Sequence, residues 1–355
     1  MRKVGIMTPL VLILFLGALV GAIALTPLSK WLAPHVGVMD QPNARKVHTK
    51  PVPRMGGVAI LLAVMGGMLV LRSQMEIQQL AAIVFGAAFM SFMGLMDDRF
   101  TLSAYVRLAA QIGAGIFIWV SGVRVQIFAN PFMDGGLTVF WVVGITNAMN
   151  FLDNMDGLSA GVSAVVSAFF LVLAVQNGQF LVATLSAMVL GACIGFLVWN
   201  LNPANVFMGD SGSMFLGFML ACVAIKLRFV AQTINVSWMV PLIVMGLPVF
   251  DTTLVCFSRL RRGKNPLTTP GKDHTSHRLV AHGFSKREAV LVLYLICGAL
   301  GVIAQMVASS NETAAWIIGI AVFAVACYMI WFMEFGPWKL SKSIDEPITA
   351  SRSSV

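Results

Sequence analysis

The sequence predicts an all-α integral membrane protein of about eleven transmembrane helices, with its N-terminus outside and its C-terminus in the cytoplasm. Three observations predict it. Hydrophobic residues make up 58% of the 355 and charged residues only 11%, against about 25% charged in an average soluble domain. The apolar residues fall in runs separated by short polar breaks, and a bilayer core needs about 20 of them per helix. The Lys and Arg residues gather in alternate breaks, as cytoplasmic loops require. Residues 1–338 form one polytopic domain, which excludes a separate soluble domain of any size; 339–355 form a polar tail that is expected to be disordered.

From the N-terminus, the spans fall at roughly 4–28, 55–71, 80–96, 104–122, 137–151, 157–175, 180–199, 212–227, 238–258, 287–308 and 314–334, with ends good to about four residues. The first follows Met1-Arg2-Lys3 and resembles a cleavable leader. Its apolar run continues to Leu28, the length of a span, so it is read as a helix. The fifth is the shortest. No internal repeat is visible. Cys193, Cys222, Cys256, Cys297 and Cys327 all lie inside apolar runs without metal-ligand spacing, so they are read as packing residues.

An odd number of spans puts the termini on opposite sides. One face then collects Lys30, Arg45, Lys46, Lys50, Arg54 and Arg99, the eight cations from Arg259 to Arg287, and Lys339, Lys342 and Arg352, seventeen of the twenty-four. That face is assigned to the cytoplasm, although Arg2 and Lys3 pull the other way. The net charge of +9 thus reports topology rather than a nucleic-acid partner.

Acids are scarce, and a carboxylate at mid-membrane costs roughly 2.5–3.5 kcal/mol on insertion scales. Asp97, Asp98, Asp153, Asp156, Asp210, Asp251 and Asp273 all fall at the basic face, whereas Glu76, Asp134 and Glu312 are left to the outside loops. Asp97 and Asp98 end the third run, where two adjacent carboxylates near lipid suit a divalent cation that completes its shell with water and phosphate. Asn147, Asn150, Asp153 and Asp156 recur three apart and share one helix face. The loop Asn202-Pro203-Ala204-Asn205-Val206-Phe207-Met208-Gly209-Asp210-Ser211-Gly212 has glycines that admit an anion to the backbone, without a Walker ending. The longest basic loop holds His274 and His277 beside Lys272 and Arg278. With no third close ligand, zinc is disfavoured and a diphosphate is the better match. The first basic loop carries Arg45, Lys46, Lys50 and Arg54 before Gly56-Gly57, a further phosphate-binding candidate. Each of these segments also has a plainer reading as a solvated loop or helix cap.

Taken in order, Pro51-Val-Pro-Arg-Met-Gly-Gly57, Met96-Asp-Asp-Arg-Phe100, Asn150-Phe-Leu-Asp-Asn-Met-Asp-Gly157, Asn202-Pro-Ala-Asn-Val-Phe-Met-Gly-Asp-Ser-Gly-Ser213 and His274-Thr-Ser-His-Arg278 closely resemble the polyprenyl-phosphate N-acetylhexosamine-1-phosphate transferases. The likeness spans about residues 40–335. It implies eleven helices and a cytoplasmic active site in a multi-pass protein of the bacterial inner membrane. It also implies magnesium, which manganese can replace, as cofactor, and a UDP-N-acetylhexosamine and undecaprenyl phosphate as substrates. In the muramoyl-pentapeptide branch the late motif resembles three consecutive histidines. Here Ser276 stands where the fuller His-x-His-His-Arg pattern of the GlcNAc branch has a histidine, which leaves the sequence nearer the GlcNAc branch.

The resemblance makes Asp97, Asp98 and Asp210 the catalytic residues. Metal binding falls mainly to Asp210, with Asp98 or Asp153. It places Lys50, Arg54, Asn150, Asp153, Asp156, Asn202, Phe207, His274, His277 and Arg278 against the substrates. Asp97 would take a proton from, or orient, the lipid phosphate; an aspartyl-phosphate intermediate stays open. Pro241 and Pro248 would bend the ninth span, since proline removes a backbone donor. The rival readings are a muramoyl-pentapeptide transferase and, in another class, a secondary transporter. The oligomeric state is open between a single chain and a homodimer.

Overall fold

The structure is a computed structural model that describes residues 2–41, 51–71, 77–229, 232–269 and 271–338. In chain order its elements are α1 (Arg2–His35), β1 (Met39–Asp40), β2 (Val52–Pro53), α2 (Gly56–Leu71), α3 (Ile77–Phe100), α4 (Ala104–Val120), α5 (Pro131–Leu152), α6 (Leu158–Gln176), α7 (Phe180–Asn200), α8 (Gly209–Lys226), α9 (Ile234–Ser237), α10 (Met239–Val244), α11 (Gly246–Arg261), α12 (Thr275–Ala281), α13 (Lys286–Ser309) and α14 (Glu312–Phe335). The two short strands pair antiparallel, Met39 opposite Pro53. Lys50 and the tail 339–355 lie outside the described residues.

Helical structure stands at each of the eleven positions read from the sequence. Among the described residues, α1, α3, α5, α6, α7, α8, α13 and α14 are long and apolar enough to cross a membrane; α2 and α4 are apolar but shorter. The segments 234–244 and 246–261 make a ninth candidate, bent by 76°. The bend sits between the two prolines expected to cause it. Pro248 has no N–H to give the Val244 carbonyl one turn back, so α10 stops and α11 starts afresh across Met245.

Three boundaries differ from expectation for local reasons. α1 runs on to His35, past Leu28. α5 starts at Pro131 rather than near 137, because the Asn130 side chain accepts from the Phe132 and Met133 N–H groups and proline occupies the first turn. Asp134 is therefore a buried first-turn residue that accepts from the Ile127 and Phe128 N–H groups, not an outside-loop acid. The long basic loop contains a helix, α12, which was read as loop.

α8 lies at the centre, buried along nearly its whole length against α3, α5 and α2. Apolar residues gain little by leaving lipid for protein, so close approach through small residues carries much of such packing. Gly94 of α3 illustrates it: a Cβ there would run into the Asp210–Ser211 backbone. α14 lies at the edge and buries only Ala315, Met333 and Glu334. Cys193, Cys222 and Cys297 are buried as packing residues, but Cys327 on α14 is exposed, which corrects its reading as core.

Successive helices alternate in direction. Hydrogen bonds tie together the segments 36–41, 51–55, 153–157, 201–208 and 271–285, which therefore share one end of the bundle.

Candidate active site

The site is built around the first turn of α8. Gly209 takes φ +71°, a left-handed conformation that glycine adopts without strain, and the chain turns there into the helix. The Asp210 and Ser211 N–H groups then point at α3, where Asp98 accepts both, at 3.1 and 3.2 Å. A carboxylate capping a helix N-terminus offsets the partial positive charge there. Arg54, ahead of α2, adds a contact to Asp98 at 3.2 Å and reaches Asp210 at 3.7 Å and Asp40 at 3.5 Å. Both Asp98 oxygens are thus engaged and the side chain is sealed from solvent. These contacts let Asp98 hold the start of α8, and with it Asp210, in place.

Asp97, its neighbour, is turned the other way. It accepts from the Leu102 N–H at 2.7 Å and from Arg107 at 2.7 Å. The same Arg107 nitrogen lies 3.5 Å from Asp210, so one guanidinium spans the two carboxylates. Arg107 is a member of the cluster to which the sequence reading gave no part. Its signal was present, an arginine inside an apolar span where a charge is costly. On α4 it stands in the first turn, at the end the acids share.

The last turn of α5 supplies Asn150, which donates to Asp210 at 3.1 Å and to Ser213 at 3.0 Å. Asp153 follows at the helix C-cap, half-buried, with no hydrogen-bond donor paired to its carboxylate among the described residues. Burial pushes its pKa up to about 7; Arg54 opposes this, while Asp98 and Asp156 add to it. For Arg54 itself burial works downward, but Asp98, Asp210, Asp40 and Asp153 together raise its pKa.

Further along, Asp156 accepts from the Asn202 side chain at 2.8 Å and from the Ala204 N–H at 3.2 Å, while Arg287 donates to the Asn202 carbonyl. Phe207 joins this loop to the first basic segment: its N–H donates to Pro53 and its carbonyl accepts from Gly56. Ser276 donates to Asn154 at 2.6 Å, which brings α12 against the turn after α5. His274 packs edge-on to Phe151, with ring centroids 6.0 Å apart, and 5.9 Å from His277. The His277 Nδ1 is buried without a partner; burial, then the neighbouring His274, push its pKa down to about 4, so that imidazole is neutral at ordinary pH. Asp273 takes two hydrogen bonds from Arg259 and one from Arg262.

Arg278 is not where the motif suggested. Its side chain has no exposed surface and is bound to the Met333 carbonyl, Glu334, the Asp273 carbonyl and Ser258. It ties α12 to the end of α14. A buried guanidinium needs this many partners, and the protein supplies all of them.

The donor set was tested for a divalent cation. Among the described residues no three His, Cys, Asp or Glu side chains converge as a ready-made cage. Magnesium, however, is held by one or two carboxylates and completes its shell with water and phosphate. Five carboxylates (Asp40, Asp97, Asp98, Asp153, Asp210) face two guanidinium groups (Arg54, Arg107), a surplus of three negative charges when all are ionised. Asp153, with no paired donor among the described residues, and Asp210, whose described partners are Asn150, Arg54 and Arg107, are the candidate ligands for such an ion.

Residues 80–228 match the family model described as glycosyl transferase family 4. The chain is 39% identical over 295 residues to the probable undecaprenyl-phosphate N-acetylglucosaminyl 1-phosphate transferase of Bacillus subtilis, covering 81% of this chain and 82% of that one. It is 33% identical over 347 residues to the decaprenyl-phosphate N-acetylglucosaminephosphotransferase of Mycolicibacterium smegmatis (86% and 84% covered). To the undecaprenyl-phosphate alpha-N-acetylglucosaminyl 1-phosphate transferase of Escherichia coli K12 it is 26% identical over 328 residues (88% of each). With the acid cluster at the head of an enclosed helix and relatives of this identity over most of its length, the chain belongs to glycosyl transferase family 4.

Proposed function

We propose that the protein transfers GlcNAc 1-phosphate from UDP-GlcNAc to undecaprenyl phosphate and releases UMP, as a multi-pass enzyme of the cytoplasmic membrane whose active site faces the cytoplasm. The observation that carries this is the convergence of Asp97, Asp98, Asp153 and Asp210 with Arg54 and Arg107 at one membrane end. There a lipid phosphate and a soluble nucleotide sugar can meet. The names of the relatives supply the sugar and the lipid class. In this reading α2 and α4 complete the eleven crossings, the termini lie on opposite sides, and the end with most Lys and Arg is cytoplasmic.

A transporter would place its polar groups near the midplane between repeats, whereas these acids cluster at one end. The separated His274 and His277 favour the GlcNAc branch over the muramoyl-pentapeptide branch.

Asp210 and Asp153 would hold magnesium, or manganese in its place; when bound, the ion neutralises the donor diphosphate and lowers the charge on departing UMP. Phosphoryl transfer depends mostly on position and charge, and the chain's own residues supply both. Arg54 and Arg107 offer fixed cations to the phosphates. Asp97 accepts from Leu102 and Arg107, and in this reading it orients Arg107 toward the lipid phosphate. On the same reading the lipid phosphate attacks the donor phosphorus directly. Asn202, Phe207, His274 and His277 serve the donor side, together with Asp156 through Asn202.

The test is transfer of radiolabel from UDP-GlcNAc into the lipid phase by purified protein and undecaprenyl phosphate. Label is expected in the lipid with magnesium, and its entry is expected to stop with chelator and resume with manganese. Label that stays in water under every metal condition sinks the proposal.

A further inference from the structure

Asp251 was counted among the cytoplasmic acids but given no part in the reaction, yet it is among the most enclosed carboxylates in the protein, with 1% of its surface exposed. It sits on α11, one turn past the bend, and both oxygens are committed. Oδ1 accepts from the Thr275 N–H at 2.6 Å, and Oδ2 lies 2.8 Å from the His274 Nδ1. A carboxylate is an acceptor only, so the proton in the second contact belongs to Nδ1. In the neutral ring Nε2 is then the unprotonated nitrogen. Phe151 and His277 flank the ring, which keeps 8% of its side-chain surface exposed. Nε2 is neither bonded to a described residue nor buried without a partner. It is the ring nitrogen of His274 without a partner among the described residues, and the ring packs on Phe151 in the last turn of α5, next to Asn150.

We infer that Asp251 is a positioning residue for the donor. It fixes the tautomer and ring orientation of His274 so that Nε2, as a hydrogen-bond acceptor, meets a hydroxyl or amide N–H of the nucleotide sugar. This rests on the transferase reading given above. Since Asp251 also anchors the start of α12 through Thr275, the dyad couples the bent helix to the donor loop. The other groups around the ring do not compete for Nδ1: Asp273 is held by Arg259 and Arg262, Ser276 by Asn154, and Lys272 points to solvent.

Asp251→Asn keeps an oxygen for the Thr275 N–H but turns an amide N–H toward Nδ1, which forces the proton onto Nε2. Steady-state kinetics on the full chain in detergent, varying UDP-GlcNAc and undecaprenyl phosphate separately, compare wild type, Asp251→Asn, His274→Gln and the double variant. Asp251→Asn is expected to lower kcat/KM for the UDP-sugar about 30-fold, mostly through KM, a loss of about 2 kcal/mol. The KM for the lipid phosphate should stay within about twofold. In the His274→Gln background, Asp251→Asn should cost less than about twofold more, since its partner is already gone. Should Asp251→Asn not fold, Asp251→Ser replaces it, retaining an acceptor for Thr275. Losses that multiply in the double variant, or a wild-type KM in the single one, overturn the positioning role while leaving the transferase standing. A wild-type protein that releases no UMP from any UDP-sugar overturns both.

Discussion

Asp210→Asn is expected to lower turnover about 1,000-fold or more in a protein that still folds and unfolds near the wild-type temperature. The two side chains have nearly the same shape. What holds α8 in place is its backbone: the Asp210 and Ser211 N–H groups on Asp98, and the close approach of Gly94. Neither depends on the Asp210 carboxylate. The substitution therefore removes one negative charge from the point where Asn150, Arg54 and Arg107 converge and little else. If that charge holds the metal against the donor diphosphate, kcat falls while protein yield and melting stay close to wild type. Near-wild-type kcat in the purified variant would take Asp210 out of the metal role. A variant that fails to fold would show that its carboxylate is needed for packing.

Arg107→Gln carries the second largest expected effect. One guanidinium nitrogen lies 2.7 Å from Asp97 and 3.5 Å from Asp210. Without it the two carboxylates share a partly buried space with Arg54 as the remaining cation of the pair. Removing one member of a buried ion pair costs about 3–5 kcal/mol, largely as an unpaired charge. Part of that cost should appear as a more weakly bound lipid phosphate: kcat/KM for undecaprenyl phosphate is expected to drop about 100-fold or more. The KM for UDP-GlcNAc should change much less. Arg107→Lys keeps the charge but loses the planar fork, so an intermediate loss of about tenfold is expected. Equal losses toward both substrates would contradict the assignment of Arg107 to the lipid phosphate.

Much of this was legible from residue order alone. Long continuous apolar runs mark helices because a helix satisfies its own backbone in a bilayer, whereas barrel strands are short and alternate, and the scarce acids stood out because each is costly there. The bend at Met245 followed from two prolines. The misses have physical reasons as well. α5 begins earlier than its apolar run because an Asn-Pro cap and Asp134 carry it through polar residues that hydropathy treats as loop. α12 is seven residues long, too short to leave a periodic signal.

The roles within motifs were less legible than their positions. Asp97 and Asp98 are adjacent, yet the helix turns one toward Arg107 and the other onto the backbone of α8. Arg278 sits inside the motif that pointed to the donor, but α12 directs it inward to Glu334, a partner fifty-six residues away. Arg107 and Asp251 stood out as costly charges but without roles, for the converse reason. Each acquires its meaning from a partner on another helix, and no spacing along one strand of text encodes that.

The central claim is tested most directly by released UMP. Purified protein is incubated with undecaprenyl phosphate and either UDP-GlcNAc or UDP-MurNAc-pentapeptide, each with and without magnesium. UMP from UDP-GlcNAc alone, and only with the metal, is the expected result. UMP from the pentapeptide donor alone would keep the chemistry and contradict the donor assignment, and no UMP from either would contradict the proposed reaction itself.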